Sequence, residues 1–483
     1  MYDSQLLHVY LCARILLALS TWIVARQGYY FPGNAYQSKC HESSVYKCAK
    51  SVIAKQTIES LDRLPSLEPM AKQLRSLLSS CLLSVTVSIV LLHIPSRVHS
   101  VTLKSDVEAL QALMQAVDPV SIVRYSYLHS WDFAFDPCEA AGVFQGILCT
   151  FPADKSANRI MAIDLDPAGY DGFLTASIGN LTELTSLRIS KNNFRGPIPE
   201  TIANLRKLTR LSLPQNLFTG RIPQGIINLK HLQILDMSQN NLSSQIPADI
   251  TTLRSLVQLS LSNNALSGRI PDLSALWQLS TLDLSSNNLD GIVPNLPMNL
   301  RELSLSHNLL SGHISPVRVL QHLTVLDLSD NRFSGLIHRE ILTLPLVERL
   351  NISNNQFTEM EPMPYPREGL QLRVLDAHAN RLHGHLPISL VNIANLSSID
   401  LSRNLFSGRI PLEYGAKLGS SWKSLLLEDN FLIGNLPPQF FNGTVAVRAN
   451  LAHNCLRCPP NIRFCRGGQR ANTECVEQQD HST

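Results

Sequence analysis

The chain has 483 residues, of which 44% are hydrophobic and only 6% aromatic, so its core must be mainly aliphatic. The formal net charge of +3 is small and there is no basic run of the kind that contacts phosphates, which excludes a typical nucleic-acid-binding protein. The sequence also contains no phosphate-binding loop, no kinase motif, no paired catalytic acids and no nucleophile beside a base. We therefore expect a protein that binds another molecule and is not an enzyme, without a cofactor or a metal.

The N-terminal residues have the organisation of a secretory segment. Eighteen consecutive residues from Leu77 to Ile94 lack Asp, Glu, Lys and Arg, with basic residues before them and small residues after them up to Ser100. We predict that residues 1–69 are a non-structural upstream extension and that residues 70–100 are a signal peptide, read from Met70. The mature protein is then secreted and extracellular. The alternative is an uncleaved internal anchor that holds the chain at the plasma membrane.

Residues 101–159 are predicted to form an N-terminal cap. Ser105 and Glu108 have the spacing of a capping box, and apolar residues recur on one helical face until Val117, after which Asp118-Pro119 ends the helix. Cys138 and Cys149 then lie eleven residues apart, close enough to form a loop. We interpret this unit as a lid over the apolar edge of the segment that follows.

From residue 160 to residue 454 the chain repeats the pattern L-x-x-L-x-L-x-x-N-x-L-x-G-x-I-P. The repeated asparagines are Asn192, Asn216, Asn240, Asn264, Asn287, Asn308, Asn331, Asn355, Asn380, Asn404, Asn430 and Asn454. Ala168 holds the equivalent position one period earlier, so we count thirteen turns. Because one turn cannot bury its apolar face alone, the pattern predicts an α/β solenoid with capped ends.

Each letter of the pattern has a physical reason. In residues 211–213 both leucines enter the core because strand side chains alternate, and their neighbours face outward. The asparagine amide pairs backbone groups where the chain leaves the strand, so that stacked amides form a ladder. A glycine four residues later allows a positive-φ turn, and the following Ile-Pro is predicted to begin a second extended stretch. Ser244 and Glu359 replace this glycine in two turns, and we interpret residues 360–367 as a local bulge.

Four cysteines follow the repeats, in residues 455–483, which we predict to be a C-terminal cysteine cap and tail. They are Cys455, Cys458, Cys465 and Cys475. Even-numbered groups of cysteines at both ends of a cysteine-free core are typical of disulfide caps in an oxidising compartment. The alternative for the last four is a zinc site, because the first two have a suitable gap.

The repeats resemble the plant-type extracellular leucine-rich-repeat family of receptor kinases, receptor-like proteins and polygalacturonase-inhibiting proteins. The resemblance covers roughly residues 105–475 and is carried by turns such as NLFTGRIP at 216–223 and by Trp131, Cys138 and Cys149. It implies a right-handed superhelix with a parallel concave sheet. Its concave or lateral face is then expected to bind an extracellular peptide, a glycan or a co-receptor protein such as a receptor kinase, in plant signalling or defence. The alternative is an inhibitor of secreted cell-wall hydrolases, although such inhibitors typically have fewer repeats. In either case we expect the chain in the apoplast or cell wall. It would be associated with a membrane only through an uncleaved N-terminal segment or through a partner protein.

The outward strand positions are the predicted binding face. The charged candidates there are Arg188, Lys191, Arg210, Glu302, His307, Arg349, Asp376, His378, Arg403, Glu428, Asp429 and Arg448. We interpret the recurrent aspartates Asp236, Asp283, Asp327 and Asp400 as architectural, and the group His378, His383 and His385 as surface histidines, not a metal site. Glycosylation triplets occur at Asn180, Asn241, Asn351, Asn395 and Asn442. A glycan on Asn351 would project into the concave face.

Overall fold

The computed structural model describes residues 101–139, 142–154, 156–363, 369–441, 447–459 and 461–477. The predicted upstream extension, the predicted signal peptide, the second half of the stretch 360–367 and Asn442 therefore lie outside the described residues. Within these ranges no helix is both long enough and apolar enough to cross a membrane.

One inner sheet runs through the repeats. It begins with the antiparallel strand Ile147–Thr150 and continues in parallel order through thirteen strands, one for each predicted turn. These are Arg159–Leu165, Ser186–Ile189, Arg210–Ser212, Ile234–Asp236, Gln258–Ser260, Thr281–Asp283, Glu302–Ser304, Val325–Asp327, Arg349–Asn351, Val374–Asp376, Ser398–Asp400, Ser424–Leu426 and Arg448–Asn450. The solenoid and its thirteen turns are thus confirmed.

A second set of parallel strands follows the ladder asparagines and forms the lateral sheets. The first lateral sheet contains Asp171–Phe173, Asn193–Pro197, Leu217–Gly220, Asn241–Ser244, Ala265–Arg269, Asn288–Gly291, Leu309–Gly312, Arg332–Ile337 and Gln356–Met360. The second contains His383–His385, Leu405–Gly408, Phe431–Asn435 and Cys455–Arg457. A bulge lies within the first lateral sheet, between its last two strands and slightly before the predicted position: Gly335 pairs with Phe357, but Leu336 pairs with Glu359.

The core lies between these sheets and consists of stacked, equivalent side chains. Leu211, Leu235 and Leu259 are aligned in register on adjacent strands and are fully buried. Phe194 and Phe218 stack in the same way on the lateral side, with ring centroids 6.4 Å apart. Each turn therefore buries its apolar face against its two neighbours, as the pattern predicted.

The asparagine ladder is formed as predicted. The side-chain oxygen of Asn287 accepts a hydrogen bond from the backbone N–H of Leu266 in the preceding turn, at 3.0 Å. Its amide nitrogen donates to the carbonyl of Leu261 at 3.0 Å and to two carbonyls of its own turn, both at 3.1 Å. The same four partners recur from Asn216 to Asn454. One amide thus satisfies backbone groups of two turns.

The prediction for the Ile-Pro segment is wrong. The extended lateral strand ends at or before this dipeptide, and in seven of the described turns a short 3₁₀-helix follows. In five of these the helix begins directly after a proline, as after the N-cap Pro199. The fixed φ of proline suits a residue that starts a helical turn. In the repeats these 3₁₀-helices are Ala176–Asn180, Glu200–Asn204, Gln224–Asn228, Ala248–Thr252, Ser315–Val319, Ile388–Asn392 and Pro438–Phe441. In two turns an α-helix replaces them, α2 at Arg339–Leu342 and α3 at Leu412–Lys417.

The consensus glycines have the positive φ that was predicted, between 75° and 84° at Gly196, Gly220, Gly268, Gly335 and Gly408. They also leave room for the turn before. A Cβ atom on Gly335 would lie only 2.5 Å from Cε1 of His313, which packs across it. The glycine is therefore required by backbone conformation and by the close approach of a neighbouring side chain.

Ser244 adopts the glycine conformation without being glycine, with a φ of 71°. A left-handed backbone conformation destabilises an L-residue by roughly 1–2 kcal/mol. Glycine removes this strain, but part of the gain is lost because glycine has more conformational freedom in the unfolded chain. We expect Ser244→Gly to raise the free energy of unfolding by up to about 1 kcal/mol, measured by denaturant titration. The control is Ser243→Gly, which has an ordinary strand conformation and is expected to destabilise. Equal effects of the two changes would contradict this explanation.

The N-terminal cap contains helix α1, Lys104–Gln115, but not the predicted capping box. Leu103 is the N-cap residue and no side chain caps the helix. Instead Asp106 is completely buried and forms a two-bond ion pair with Arg159, at 3.0 and 3.1 Å, while also accepting the backbone N–H of Ile160 at 3.0 Å. The cap thus uses this acid to attach the helix to the first parallel strand. The 3₁₀-helices Pro119–Ser121 and Leu128–Ser130 follow.

Six cysteines in the described residues form three disulfides. Cys138 pairs with Cys149, Cys455 with Cys475, and Cys458 with Cys465, with Cα atoms 5.7, 5.9 and 6.4 Å apart. The last four therefore have no thiolate left for the zinc alternative. In the C-terminal cap, the 3₁₀-helix Arg463–Cys465 and helix α4, Asn472–Glu477, follow the last lateral strand. The ring of Phe464 contacts that of Phe440, so the cap covers the apolar end of the last turn.

Candidate binding face on the inner sheet

The register of the inner sheet arranges its outward side chains in columns. We name as the central column the outward residue between the two core residues of each turn. Its members, in register, are Asp164, Arg188, Ser212, Asp236, Ser260, Asp283, Ser304, Asp327, Asn351, Asp376, Asp400, Leu426 and Asn450. A ligand lying along the sheet would meet these residues at steps of about 4.8 Å.

The recurrent aspartates of the central column have an architectural contact. Asp236 accepts hydrogen bonds from the backbone N–H and the hydroxyl of Ser238, at 3.0 and 2.7 Å. The same pair of bonds joins Asp283, Asp327 and Asp400 to the serine two residues later. These contacts support their interpretation as residues that shape the end of the strand.

The predicted candidates do not all lie on strands. Six do, as expected: Arg188, Arg210, Glu302, Arg349, Asp376 and Arg448. The others follow the strand end, in the bend that leads to the ladder asparagine. Lys191, His307, Arg403 and Asp429 have positive φ values of 52° to 57°, and His378 and Glu428 each lie just before such a residue. The placement of these on a strand was wrong, because the chain must turn there to bring the asparagine amide inward.

Ion pairs distinguish the candidates further. Arg188 is paired with Asp164 at 3.2 Å, and His307 contacts Asp330 at 3.5 Å. Arg210, Glu302, Arg349 and Arg448 form no ion pair with any residue that the structure describes. An unpaired arginine on an accessible strand can bind a ligand carboxylate through two parallel hydrogen bonds. Glu302, Arg349 and Arg448 are also exposed, which leaves them free to contact a partner.

The three grouped histidines are on different surfaces. His383 and His385 are exposed on a lateral strand, in accord with their interpretation as surface residues. His378 lies on the inner face, where its Nδ1 is 2.7 Å from Asp376 Oδ1 and its Nε2 is 3.3 Å from the amide of Asn354. The sequence grouping is therefore broken by the fold, and His378 has acidic neighbours instead.

Glu428 is the candidate with the most unusual environment. Its Oε2 is buried and has no hydrogen-bond partner in the described part of the chain. Burial raises the pKa of this carboxyl group, and the nearby charges of Asp400 and Asp429 raise it further, against a hydrogen bond from Asn450 that lowers it. The folded protein therefore holds the Glu428 proton more tightly than the unfolded chain does.

This shift predicts a pH-dependent effect of Glu428→Gln. A raised folded-state pKa stabilises the fold below the unfolded-state value, and that stabilisation is lost as the pH rises through the folded-state value. We expect the variant to be more stable than the wild type at pH 7 and to lose this advantage at pH 4, as measured by denaturant titration of metal-free protein. Glu302→Gln, an exposed control, should show no such difference. A constant difference at both pH values would exclude the protonation mechanism.

The predicted glycosylation sites differ in their surroundings. Asn180 and Asn241 are exposed, at the end of a 3₁₀-helix and at the start of a lateral strand. Asn351 lies in the central column, as predicted, and its oxygen accepts hydrogen bonds from the N–H and hydroxyl of Ser353, at 3.2 and 2.8 Å. The exposed Asn395 donates its amide to the carbonyl of Leu370 at 2.7 Å.

Comparison with known proteins agrees with the repeat architecture. The Leucine Rich Repeat family model matches residues 183–205, 231–253, 255–275, 278–300, 299–317 and 322–344. Receptor-like protein 35 of Arabidopsis thaliana is 36% identical over 120 residues, which are 24% of this chain and 12% of that protein. The match thus spans about an eighth of that relative's length.

Two solved plant receptor structures share the fold. The chain is 30% identical to a TDR receptor, with a TM-score of 0.54, over 59% of this chain and 50% of that one. It is 29% identical to the plant peptide hormone receptor RGFR1, solved in complex with RGF2, with a TM-score of 0.51 over the same shares of the two chains. The chain therefore contains leucine-rich repeats, and it is similar in sequence to a plant receptor-like protein and in fold to these receptors.

Proposed function

We propose that this chain is an extracellular recognition protein that binds a peptide or a partner protein on its inner face and does not itself catalyse a reaction. One observation carries the proposal: a continuous inner sheet of thirteen parallel strands presents unpaired charged side chains along its length. The likeness to a receptor solved with its peptide hormone supports a peptide ligand. Three disulfides support an oxidising, extracellular compartment. Secretion through a signal peptide at residues 70–100 is part of the same proposal.

We place the contact in the C-terminal half of the inner face. Arg349 and Arg448 are exposed there without an ion pair in the described residues. In the N-terminal half, Arg188 is already paired with Asp164, and Arg210 is only partly exposed. Buried arginine contacts are among the largest contributors to binding energy at interfaces. Ligand carboxylates are therefore the expected partners of these two side chains. A glycan on Asn351, two residues after Arg349 on the same strand, would restrict the ligand to one side.

The test is capture of extracellular peptides on the purified, secreted chain, followed by titration of each captured peptide by calorimetry. We expect Arg349→Ala or Arg448→Ala to weaken binding at least about tenfold, which corresponds to ~1.4 kcal/mol. The matched control is Arg332→Ala, because Arg332 is exposed on a lateral strand and forms no ion pair in the described residues. A peptide whose affinity is unchanged by both inner-face variants would overturn the proposal.

Hydrolase inhibition, the alternative from the sequence, is tested with the same protein. Addition of the chain to a secreted polygalacturonase should leave its activity unchanged if the chain is a receptor-like component. Dose-dependent loss of activity would replace the peptide-binding proposal by inhibition. Loss of that inhibition in Arg349→Ala would then assign the inhibitory contact to the same inner face.

A further inference from the structure

Two aspartates are stacked on adjacent strands at one place in the central column. The register pairs Asp376 directly with Asp400. Every other aspartate in the described part of this column has serine, asparagine or arginine beside it, as Asp283 has Ser260 and Ser304. Like charges directly opposite each other on neighbouring strands destabilise a sheet. The repulsion between these two neighbouring carboxylates would therefore be reduced by a positive charge beside them.

No arginine or lysine in the described ranges supplies that charge. Asp376 contacts only His378 among the cationic side chains, and Asp400 forms no ion pair. Arg403, the basic residue closest to Asp400 in the sequence, is directed to Asp429 in the next turn, with Nε 3.9 Å from its carboxylate. The repulsion between the two aspartates thus has no compensating ion pair with a fixed cation.

The third member of the group, His378, is a departure from the repeat. Ser238, Ser285, Ser329 and Ser402 occupy the equivalent position in other turns and donate to the aspartate two residues earlier. Because Ala377 is buried between them, Asp376 and His378 both face outward. Ligand atoms of Asp376, His378 and Asp400 all lie within 4.8 Å of one another.

A second departure from the repeat pattern places another acidic side chain beside Asp376, His378 and Asp400. Glu428 replaces the same serine one turn after Ser402, and its Oε2 is buried without a hydrogen-bond partner in the described chain. Asp400 is close enough for its charge to raise the pKa of Glu428. The orphaned oxygen is a separate indication that acidic side chains are crowded in this part of the inner face.

We propose that Asp376, His378 and Asp400 bind one divalent transition-metal ion, of the class of Zn²⁺, on the inner face. An imidazole nitrogen with two carboxylate oxygens suits zinc, which takes nitrogen at about 2.0–2.1 Å and oxygen at about 2.0–2.2 Å. Small rotations of the three side chains bring the donors to these distances. Ca²⁺ favours roughly six to eight oxygen ligands, which this group does not provide. The proposal goes beyond the proposed function, because it requires no peptide or partner protein.

The test is titration of untagged, chelator-treated full-length secreted protein with ZnCl₂ by calorimetry. We expect a site of one Zn²⁺ per chain that His378→Ser weakens by about tenfold or more, and Asp400→Asn likewise. His378→Ser restores the residue of the other turns, so an unchanged thermal unfolding profile in chelator confirms that its fold is intact. The matched control is His383→Ser, because His383 is exposed on a lateral strand. X-ray absorption of the zinc-loaded protein should show an imidazole nitrogen ligand.

Each other outcome overturns the proposal. A dissociation constant for Zn²⁺ above ~1 mM in the wild type would mean that there is no site of useful affinity. This limit corresponds to a binding free energy of about 4 kcal/mol. Equal affinities of wild type and His378→Ser would place any zinc elsewhere, and loss of affinity in His383→Ser would place it on the lateral sheet. Tighter binding of Ca²⁺ than of Zn²⁺ would exclude the proposed donor set. None of these results bears on peptide binding at Arg349 and Arg448, so the two proposals fail separately.

Discussion

Replacement of Asn287 by alanine is expected to lower the free energy of unfolding by about 3 kcal/mol. The side chain is 7% exposed and makes four hydrogen bonds to the backbone of two turns. Alanine makes none of them, so the N–H of Leu266 and the carbonyl of Leu261 lose their side-chain partner within the core. One buried polar group left unpaired destabilises the fold by roughly 1–3 kcal/mol, and in this variant more than one backbone group loses its partner.

The neighbouring residue provides the control for this prediction. Asn288 has the same side chain but is exposed at the start of a lateral strand, so Asn288→Ala should change stability by less than about 0.5 kcal/mol. Denaturant titration measures the global effect, and hydrogen exchange of the Leu266 amide measures the local one, since repeat arrays can depart from two-state unfolding. Similar losses in the two variants would show that the ladder does not carry the stability assigned to it.

Replacement of Asp106 by alanine is expected to detach the N-terminal cap, at a cost of about 3 kcal/mol. Removing one partner of a buried ion pair leaves the other uncompensated, at roughly 3–5 kcal/mol, and the lower end applies because the Arg159 side chain is 18% exposed. The variant also leaves the backbone N–H of Ile160 without its acceptor. Denaturant titration should show the loss, and limited proteolysis should cleave helix α1 first.

Ser105→Ala separates this mechanism from the capping box that the sequence suggests. No side chain caps helix α1, so loss of the Ser105 hydroxyl should leave stability within about 0.5 kcal/mol of the wild type. If Ser105 capped the helix, its replacement by alanine would instead lower the free energy of unfolding by about 1 kcal/mol. If Ser105→Ala destabilised the cap as much as Asp106→Ala, the ion pair would not be the attachment described above.

The parts of the fold that depend on periodicity could be predicted from the sequence. The ladder asparagines, core leucines and positive-φ glycines each follow from a repeated local requirement, and all are found where expected. The 3₁₀-helices could not be predicted in this way, because the Ile-Pro pair is compatible with an extended or a helical continuation. The Asp106–Arg159 pair joins residues 53 positions apart in sequence outside the periodic pattern, and no local signal marks it.

The sequence predicted which residues lie at the candidate face, but it placed only some of them on the correct structural element. Arg349 and Arg448 could be placed on strands, because they precede a core leucine or its equivalent by one residue. His307 and Arg403 could not, since a left-handed residue has no side-chain signature except where glycine or asparagine occupies it. Their recurrence directly before the ladder asparagine is the signal that was missed. The acid pair Asp376 and Asp400 becomes visible only when the register aligns the two turns.

The interruption of the lateral sheet has a consequence for how the solenoid unfolds. Between Gln356–Met360 and His383–His385 the pairing of lateral strands stops, and the N–H of Arg381 donates to the carbonyl of Phe357 at 2.9 Å across the gap. The inner sheet and the asparagine amides continue without interruption. In a linear array, cooperativity depends on the coupling between nearest neighbours. We expect this junction to be the weakest coupling in the array, so that the chain behaves as two cooperative blocks. The blocks would then melt at separate temperatures although they share one continuous inner sheet.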